Sequence, residues 1–144
     1  MLAICALASI GLGGCSRHYE DKWSRSRPKT YPITGRVLWK GEPAEGVAVT
    51  LESISHNVAA GGRTNAVGEF VLTTYRPNDG AVAGEHRVRL DKRVITGYDG
   101  NGTPIEVAMM PAEYADFGTS GLTVTVSEKG KNEITFEVDP LPKS

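Results

Sequence analysis

The alternation of apolar and polar residues in short runs constrains the fold of this chain more than any other feature. The runs His86–Leu90, Leu122–Val126 and Ile134–Val138 place apolar side chains at every second position. Successive residues of a β-strand point to opposite faces of a sheet, so these runs predict strands with one buried face. From residue 32 onward no run has the period of a long helix.

Seven short strands are predicted between clusters of turn-forming residues. Their cores are Ile33–Trp39, Val47–Leu51, Ala60–Thr64, a strand carrying Phe70 and Leu72, His86–Leu90, Leu122–Val126 and Ile134–Val138. Many short strands with turns between them predict an all-β antiparallel sandwich, in which each sheet buries one face. Residues 94–115 interrupt the rhythm, and we expect a long loop there that is functional or only partly ordered.

The N-terminal segment reads as an export signal. Residues 2–12 are apolar or small and uncharged, and they are too few to span a bilayer, which takes roughly 20 residues. The ending Leu12-Gly13-Gly14-Cys15 resembles the lipobox of bacterial lipoproteins. That resemblance implies cleavage between Gly14 and Cys15, transfer of a diacylglyceryl group to the Cys15 thiol, and acylation of the new N-terminus.

Two features of this segment leave alternatives open. Met1-Leu2-Ala3 lacks the positive charge with which such signals begin, so either the start site lies further upstream or the signal is a weak one. A buried apolar helix carrying a free Cys15 is the other interpretation. It would hold three glycines in four residues, each costing about 1 kcal/mol relative to alanine.

The charge distribution divides the chain into a tether and a body. Residues 16–31 carry five basic and two acidic side chains, whereas residues 32–144 carry 11 basic and 15 acidic ones. We therefore predict a signal peptide over 1–14, a lipidated cysteine with a flexible basic tether over 15–31, a sandwich domain over 32–139 and a tail over 140–144. The tether, extended to about 50 Å, either rests on anionic lipid head groups with Tyr19 and Trp23 or is a plain soluble linker.

Composition and spacing argue against several functions. A net charge of −1 does not suit a nucleic-acid partner. His18, His56 and His86 fall in the tether, a loop and a strand, so neither a metal site nor a cofactor is expected. Asp99-Gly100-Asn101-Gly102 is a plain turn rather than a calcium loop, because the rest of the ligand series is missing. We find no Gly-x-Ser-x-Gly elbow and no serine, histidine and carboxylate set, so no catalytic residues are predicted.

Several short motifs of the body resemble one family. They are Gly35-Arg-Val37, Gly41-Glu-Pro43, Gly46–Val49 and Thr64-Asn65-x-x-Gly68-x-Phe70, and they resemble the carboxypeptidase regulatory-like, or transthyretin-like, domain. The later pieces Gly84–Val88, Pro111–Tyr114 and Thr119–Leu122 resemble a subgroup found as small bacterial envelope lipoproteins.

This resemblance covers residues 32–139. It implies a seven-stranded antiparallel Greek-key sandwich on the extracytoplasmic side of the envelope, anchored through its lipid. Hydroxyisourate hydrolases share the topology, but their C-terminal Tyr-Arg-Gly-Ser signature is absent here. His86 stands where the family usually has tyrosine, and we expect a half-buried ring with one nitrogen satisfied.

A few side chains are candidates for contacting a ligand. The aromatic candidates lie at strand ends or in loops, where rings stack on sugars or peptides, and they are Trp39, Tyr75, Tyr98 and Tyr114. The basic candidates are Arg87 and Arg89, which share the outward face of a strand with Arg93. For the arginines the favoured interpretation is a solvated sheet face that discourages edge pairing. The predicted function is a non-catalytic module that binds an envelope protein or a glycan. The alternative is an enzyme of unknown type that uses the 94–115 loop.

Overall fold

The structure, a computed structural model, describes residues 22–23 and 25–139. They form twelve strands: β1 (Thr30–Tyr31), β2 (Ile33–Trp39), β3 (Glu42–Pro43), β4 (Ala48–Ser53), β5 (Ala59–Arg63), β6 (Glu69–Val71), β7 (Ala81–Val82), β8 (Gly84–Asp91), β9 (Arg93–Tyr98), β10 (Pro104–Ala108), β11 (Leu122–Val126) and β12 (Asn132–Val138). Within these residues the one helical element is a 3-10 turn at Ala112–Ala115. The prediction of an all-β chain is confirmed, and a strand overlaps each of the seven predicted ones.

Two sheets form the body. The first has the order β11-β8-β4-β5 and is antiparallel throughout. The second has β12 on one side of β2, with β3 and β6 on the other side. One cluster of buried side chains draws on both sheets, so the architecture is consistent with a β-sandwich.

Burial follows the alternation that the sequence displays. In β4 the inward positions include Val49 and Leu51, and in β8 they include Val88 and Leu90; all four side chains are fully buried. Full burial of such a side chain stabilises the fold by about 1.5–3 kcal/mol. The two strands are paired, with Leu51 opposite Val88 and Val49 opposite Leu90, so their apolar faces form one continuous layer.

Glycine and asparagine residues shape two of the connections between strands. Gly41 and Gly46 flank β3 with φ values of 81° and 74°, a region that costs glycine little. Asn65 Oδ1 accepts hydrogen bonds from the backbone N–H of Val67 at 3.1 Å and of Glu69 at 2.9 Å. This cap closes the turn that leads into β6.

The purely antiparallel, seven-stranded prediction needs correction. β12 runs parallel to β2, from Asn132 opposite Ile33 to Val138 opposite Trp39. β11 ends beside the start of β8, and the chain then crosses to the start of β2 in the other sheet. β12 therefore runs in the same direction as β2. Five short strands were also not predicted, among them β1, which lies within the segment predicted as tether.

The prediction of a long loop over residues 94–115 is wrong. β9 and β10 form an antiparallel hairpin closed by the turn at 99–102, and the 3-10 turn follows. Arg93 begins β9 and is therefore not on the strand of Arg87 and Arg89. The ordering is local, since the hairpin residues pair with one another rather than with either large sheet.

The body has two distinct ends. At the tether end lie β1, its partner β7, and the first residues of β2 and β8. At the hairpin end β2 finishes with Trp39, and β8 finishes with Asp91, opposite the start of β4. β2 has seven residues and separates the ends by about 23 Å.

Candidate functional site

The β9–β10 hairpin exposes apolar side chains and unpaired backbone edges. Every residue of β10 is exposed, and within the described part of the chain β9 and β10 pair only with each other. The large apolar side chains are exposed to an unusual degree: Ile95 by 55%, Tyr98 by 66%, Ile105 by 47%, Val107 by 44% and the adjoining Met109 by 52%. Clustered exposed apolar groups of this kind mark interaction sites in soluble domains.

A polar contact and a bulge shape the hairpin. Arg93 Nε lies 3.0 Å from Asp91 Oδ2, and its Nη1 lies 4.0 Å from Glu106 Oε2 across the hairpin. The register shifts between Ile105 and Glu106, which is a β-bulge or a similar irregularity. Bulges bend and twist a strand locally, and they commonly occur beside functional sites.

The turn of the hairpin is held by Asp99. Its Oδ1 accepts hydrogen bonds from the backbone N–H of Asn101 at 2.8 Å and of Thr103 at 2.9 Å. These bonds to Thr103 and Asn101 lower the pKa of the Asp99 carboxyl below its ordinary value. The carboxylate therefore serves the turn itself, as the interpretation of a plain turn requires.

A groove of about 330 Å³ lies where the hairpin joins the body. Its lining comes from the end of β2, the β3 segment and the residues flanking the hairpin: Trp39, Glu42, Pro43, Ala44, Glu45, Val47, Lys92, Met109 and Met110. This volume lies at the lower end of the range for ligand pockets, so the groove suits a small group or a single side chain. The groove and the apolar hairpin are contiguous, because Lys92 precedes β9 and Met109 follows β10.

The groove combines an apolar floor with charged walls. Trp39 is half-buried against the core and Met110 is buried, whereas Glu42 and Glu45 are exposed. Among the described residues, neither these two carboxylates nor the half-buried Lys92 ammonium forms an ion pair. Aromatic and methionine side chains are typical of binding surfaces, and charges at such surfaces contribute to specificity.

A wider depression of about 820 Å³ overlies β2, β6 and β12, but its arginines are already engaged. Arg36 Nη2 lies 2.9 Å from Glu69 Oε1, and Arg63 Nη1 donates to the Gly46 carbonyl at 3.0 Å. We regard the smaller groove as the better candidate site, because its charged groups are free to meet a partner.

The predicted aromatic candidates do not converge on one site. Trp39 lines the groove, and Tyr98 stands at the end of β9 in the hairpin. Tyr114 is half-buried against the core and donates its hydroxyl to the Asp139 carbonyl at 3.3 Å. Tyr75 lies at the tether end, beneath the guanidinium of Arg27.

The predicted arginines lie on the outer face of the first sheet. Arg87 Nη2 lies 3.1 Å from Glu52 Oε2, and the guanidinium carbons of Arg87 and Arg89 lie 6.0 Å and 5.2 Å from the Phe117 ring centroid. These contacts hold both side chains against the sheet and away from the groove. Gly14 and Cys15 lie outside the described residues.

A serine and histidine cluster at the tether end was not predicted. His56 Nδ1 lies 2.8 Å from Ser55 Oγ and 3.4 Å from Ser53 Oγ, and His86 is buried beside Ser53. Burial lowers the pKa of His86, a hydrogen bond to the Gly84 carbonyl raises it, and the charge of His56 lowers it; the net shift is downward. In the part of the chain that the structure describes, no carboxylate bonds to either ring.

Neither a metal-binding cluster nor a membrane-spanning helix occurs among the described residues. No group of three or more His, Cys, Asp or Glu side chains could hold a metal ion there. The same residues include no helix of the length and apolarity needed to cross a membrane.

Comparison with known proteins does not assign the chain to a family. No model of a protein family matches it, and neither does any curated protein. Among solved structures it is similar to part of a 9R-lipoxygenase from Cyanothece PCC8801, with 13% identity and a TM-score of 0.41. The match covers 80% of this chain and 17% of the lipoxygenase chain.

Proposed function

We propose that this chain is a lipid-anchored protein of the bacterial cell envelope whose domain is a non-catalytic, protein-binding module. In this proposal the body is a carboxypeptidase regulatory-like, Greek-key sandwich of seven main strands, to which the β9–β10 hairpin is added. Cleavage before Cys15 and lipidation of its thiol fix the domain to the membrane. Support for the anchor comes from the Leu12-Gly13-Gly14-Cys15 sequence alone.

The observation that carries the binding proposal is the hairpin with its two unpaired edges. An extended segment of a partner protein can add to such an edge through backbone hydrogen bonds, while its side chains contact exposed apolar groups. Ile105 and Val107 on β10 provide these groups, and the groove beside Met109 accepts one anchoring side chain. A glycan would gain little from a free backbone edge, so we propose a protein partner.

Photo-crosslinking in living cells tests this proposal. A photoreactive amino acid at Val107 should give one discrete adduct with an envelope protein, whereas the same group at Thr125, exposed on β11, should give none. With the photoreactive amino acid at Tyr98 instead, the additional substitution Ile105→Asp should abolish the adduct. It should leave the unfolding midpoint unchanged, because Ile105 contributes little to the core. Equal adduct patterns from Val107 and Thr125 would rule out the hairpin as the binding surface.

The anchor needs a separate measurement. The intact mass of membrane-extracted protein should correspond to a chain that begins at Cys15 and carries diacylglyceryl and acyl groups. The Cys15→Ser variant should retain its signal and lack the lipid. A native product that begins at Met1 and carries no lipid would refute this part of the proposal.

A further inference from the structure

The segment that enters the domain is uniformly basic and carries an exposed tryptophan. Between residues 22 and 31 the chain has four basic side chains, Lys22, Arg25, Arg27 and Lys29, and no acidic one. All four are exposed, and Trp23 is exposed by 75%. An exposed indole beside basic groups is a combination suited to the interface between water and lipid.

Contacts with the body hold part of this segment in place. The Arg27 guanidinium carbon lies 5.1 Å from the Tyr75 ring centroid, and the Lys29 ammonium nitrogen lies 5.2 Å from that of Tyr31. Pairing of β1 with β7 then ties the end of the segment to the residues that lead into β8. Arg27 and Lys29 are thus presented at the tether end of the body and need little further ordering to bind an anion.

The neighbouring loop does not neutralise this charge with a free carboxylate. Asp79 follows Tyr75 in the same loop, and its oxygens accept hydrogen bonds from the backbone N–H of Thr74 at 2.7 Å, Tyr75 at 3.0 Å and Arg76 at 2.9 Å. The Asp79 charge is therefore directed at its own loop.

From this arrangement we infer that the tether end is a docking surface for anionic phospholipid head groups. We call it the basic face and define it as Lys22, Trp23, Arg25, Arg27 and Lys29. Each basic side chain close to an anionic bilayer strengthens binding about fivefold, and arginine binds phosphate in a bidentate manner. A cation stacked on an aromatic ring keeps its outer edge available for such a contact.

Chain length places this surface at the membrane. Seven residue steps separate Cys15 from Lys22, so the basic face begins within about 25 Å of a lipid attached at Cys15. A second, weaker contact close to a first one is favoured by the high effective concentration. This placement rests on the proposed anchor, whereas the affinity of the basic face for anionic lipid does not.

Docking at the tether end has a consequence for the rest of the molecule. The hairpin and the groove lie at the opposite end of β2, so a domain seated on its basic face directs them away from the bilayer. The binding surface is then open to a partner in the aqueous compartment.

Vesicle binding by the full chain with Cys15→Ser tests the inference. The readout is the ratio of partition coefficients for vesicles of phosphatidylcholine with about one-third phosphatidylglycerol and vesicles of phosphatidylcholine alone. The apolar residues 2–12 contribute similarly to both and largely cancel in this ratio. At about 0.1 M salt the ratio should be well above one, and it should approach one at high salt because exposed charges are screened.

Charge variants at the two ends provide the matched comparison. R27Q/K29Q should lower the ratio about 25-fold, at about fivefold for each charge removed. K40Q/R63Q removes the same charge at the hairpin end, outside the groove, and should change the ratio less than twofold. A ratio near one for the parent, an unchanged ratio for R27Q/K29Q, or equal losses in both variants would overturn the inference. The proposed function is tested by the intact mass of the membrane-extracted protein and by crosslinking from the hairpin. Neither measurement depends on vesicle binding, so a failure of the proposed function is distinguishable from a failure of this inference.

Discussion

Replacing Gly35 with alanine adds a methyl group where β2 is crowded from both sides. An ideal Cβ at this position would lie 2.4 Å from Phe70 Cζ and 2.5 Å from the Ile134 carbonyl oxygen. The Phe70 ring cannot withdraw freely, because it is buried and stacks on Phe136 with 6.1 Å between centroids. The carbonyl belongs to β12, whose pairing with β2 would have to shift.

The expected loss of stability follows from these two contacts. Overpacking a core typically costs about 1–3 kcal/mol, and a change that displaces both a ring and a strand should fall near 3 kcal/mol. For a body of this size that loss lowers the melting temperature by about 12 °C, at about 4 °C for each kcal/mol. Urea unfolding monitored by tryptophan fluorescence, together with a thermal scan, measures both quantities.

Gly100→Ala is the matched control. A Cβ there has no atom within 4 Å, and the backbone does not adopt positive φ. Both substitutions restrict the unfolded chain equally, so the difference between them isolates the clash in the folded state. A free energy of unfolding for Gly35→Ala within about 0.5 kcal/mol of the control would refute the close approach of β6 and β12 to Gly35.

Two pH-dependent effects follow from buried or capping groups. The pKa of His86 is lowered from 6.5, chiefly by burial, so the unfolded chain takes up this proton first. The contribution of His86 to stability should therefore be fully present above pH 6.5 and decline below it. A melting temperature that falls as steeply between about pH 7 and 5 in His86→Phe as in the parent chain would contradict this. For Asp79, burial raises the pKa, but the backbone N–H groups of residues 74–76 outweigh it and lower the pKa from 3.8. The contribution of the Asp79 carboxylate to stability is fully present above pH 3.8 and is lost as the pH falls below it. Asp79→Asn should cost about 1 kcal/mol at neutral pH and reduce the loss in acid, while an undiminished acid transition in that variant would argue against this role.

The strands that the sequence predicts are those with one face in the core. Val88 and Leu90 alternate with Arg87 and Arg89 because the sheet buries one side and leaves the other in water. The same reasoning placed His86 on the inner face, where it is more deeply buried than expected. Burial thus imposes a period on the sequence, and that period is readable without a structure.

Elements that depend on distant partners could not be predicted in this way. β1 exists because Thr30 pairs with Val82, far along the chain, and two residues are too few to display a period. The parallel pairing of β12 with β2 depends on where the chain crosses between the sheets. The groove has the same origin, since Glu42 and Lys92 come to line one groove only after folding.

The hairpin was missed for a different physical reason. Neither sheet covers it, so no alternation between core and solvent is imposed on its sequence, and the irregular register at Ile105 breaks the pattern that remains. One signal was present. Val94-Ile95 and Ile105–Val107 flank Asp99-Gly100-Asn101-Gly102, and two β-prone runs separated by such a turn favour a hairpin.

Unprotected edge strands lead to aggregation, and the protection of this hairpin is only partial. Pro104 at the start of β10, the irregular register after Ile105 and the charged pair Arg93 and Glu106 are features that discourage indiscriminate strand pairing. They leave Val107 and the base of the hairpin apolar and exposed. A hairpin that served only to connect β8 with β11 would gain nothing from these apolar groups. Their position beside the groove supports the proposal of one partner of matching register, selected by the same charges that exclude others.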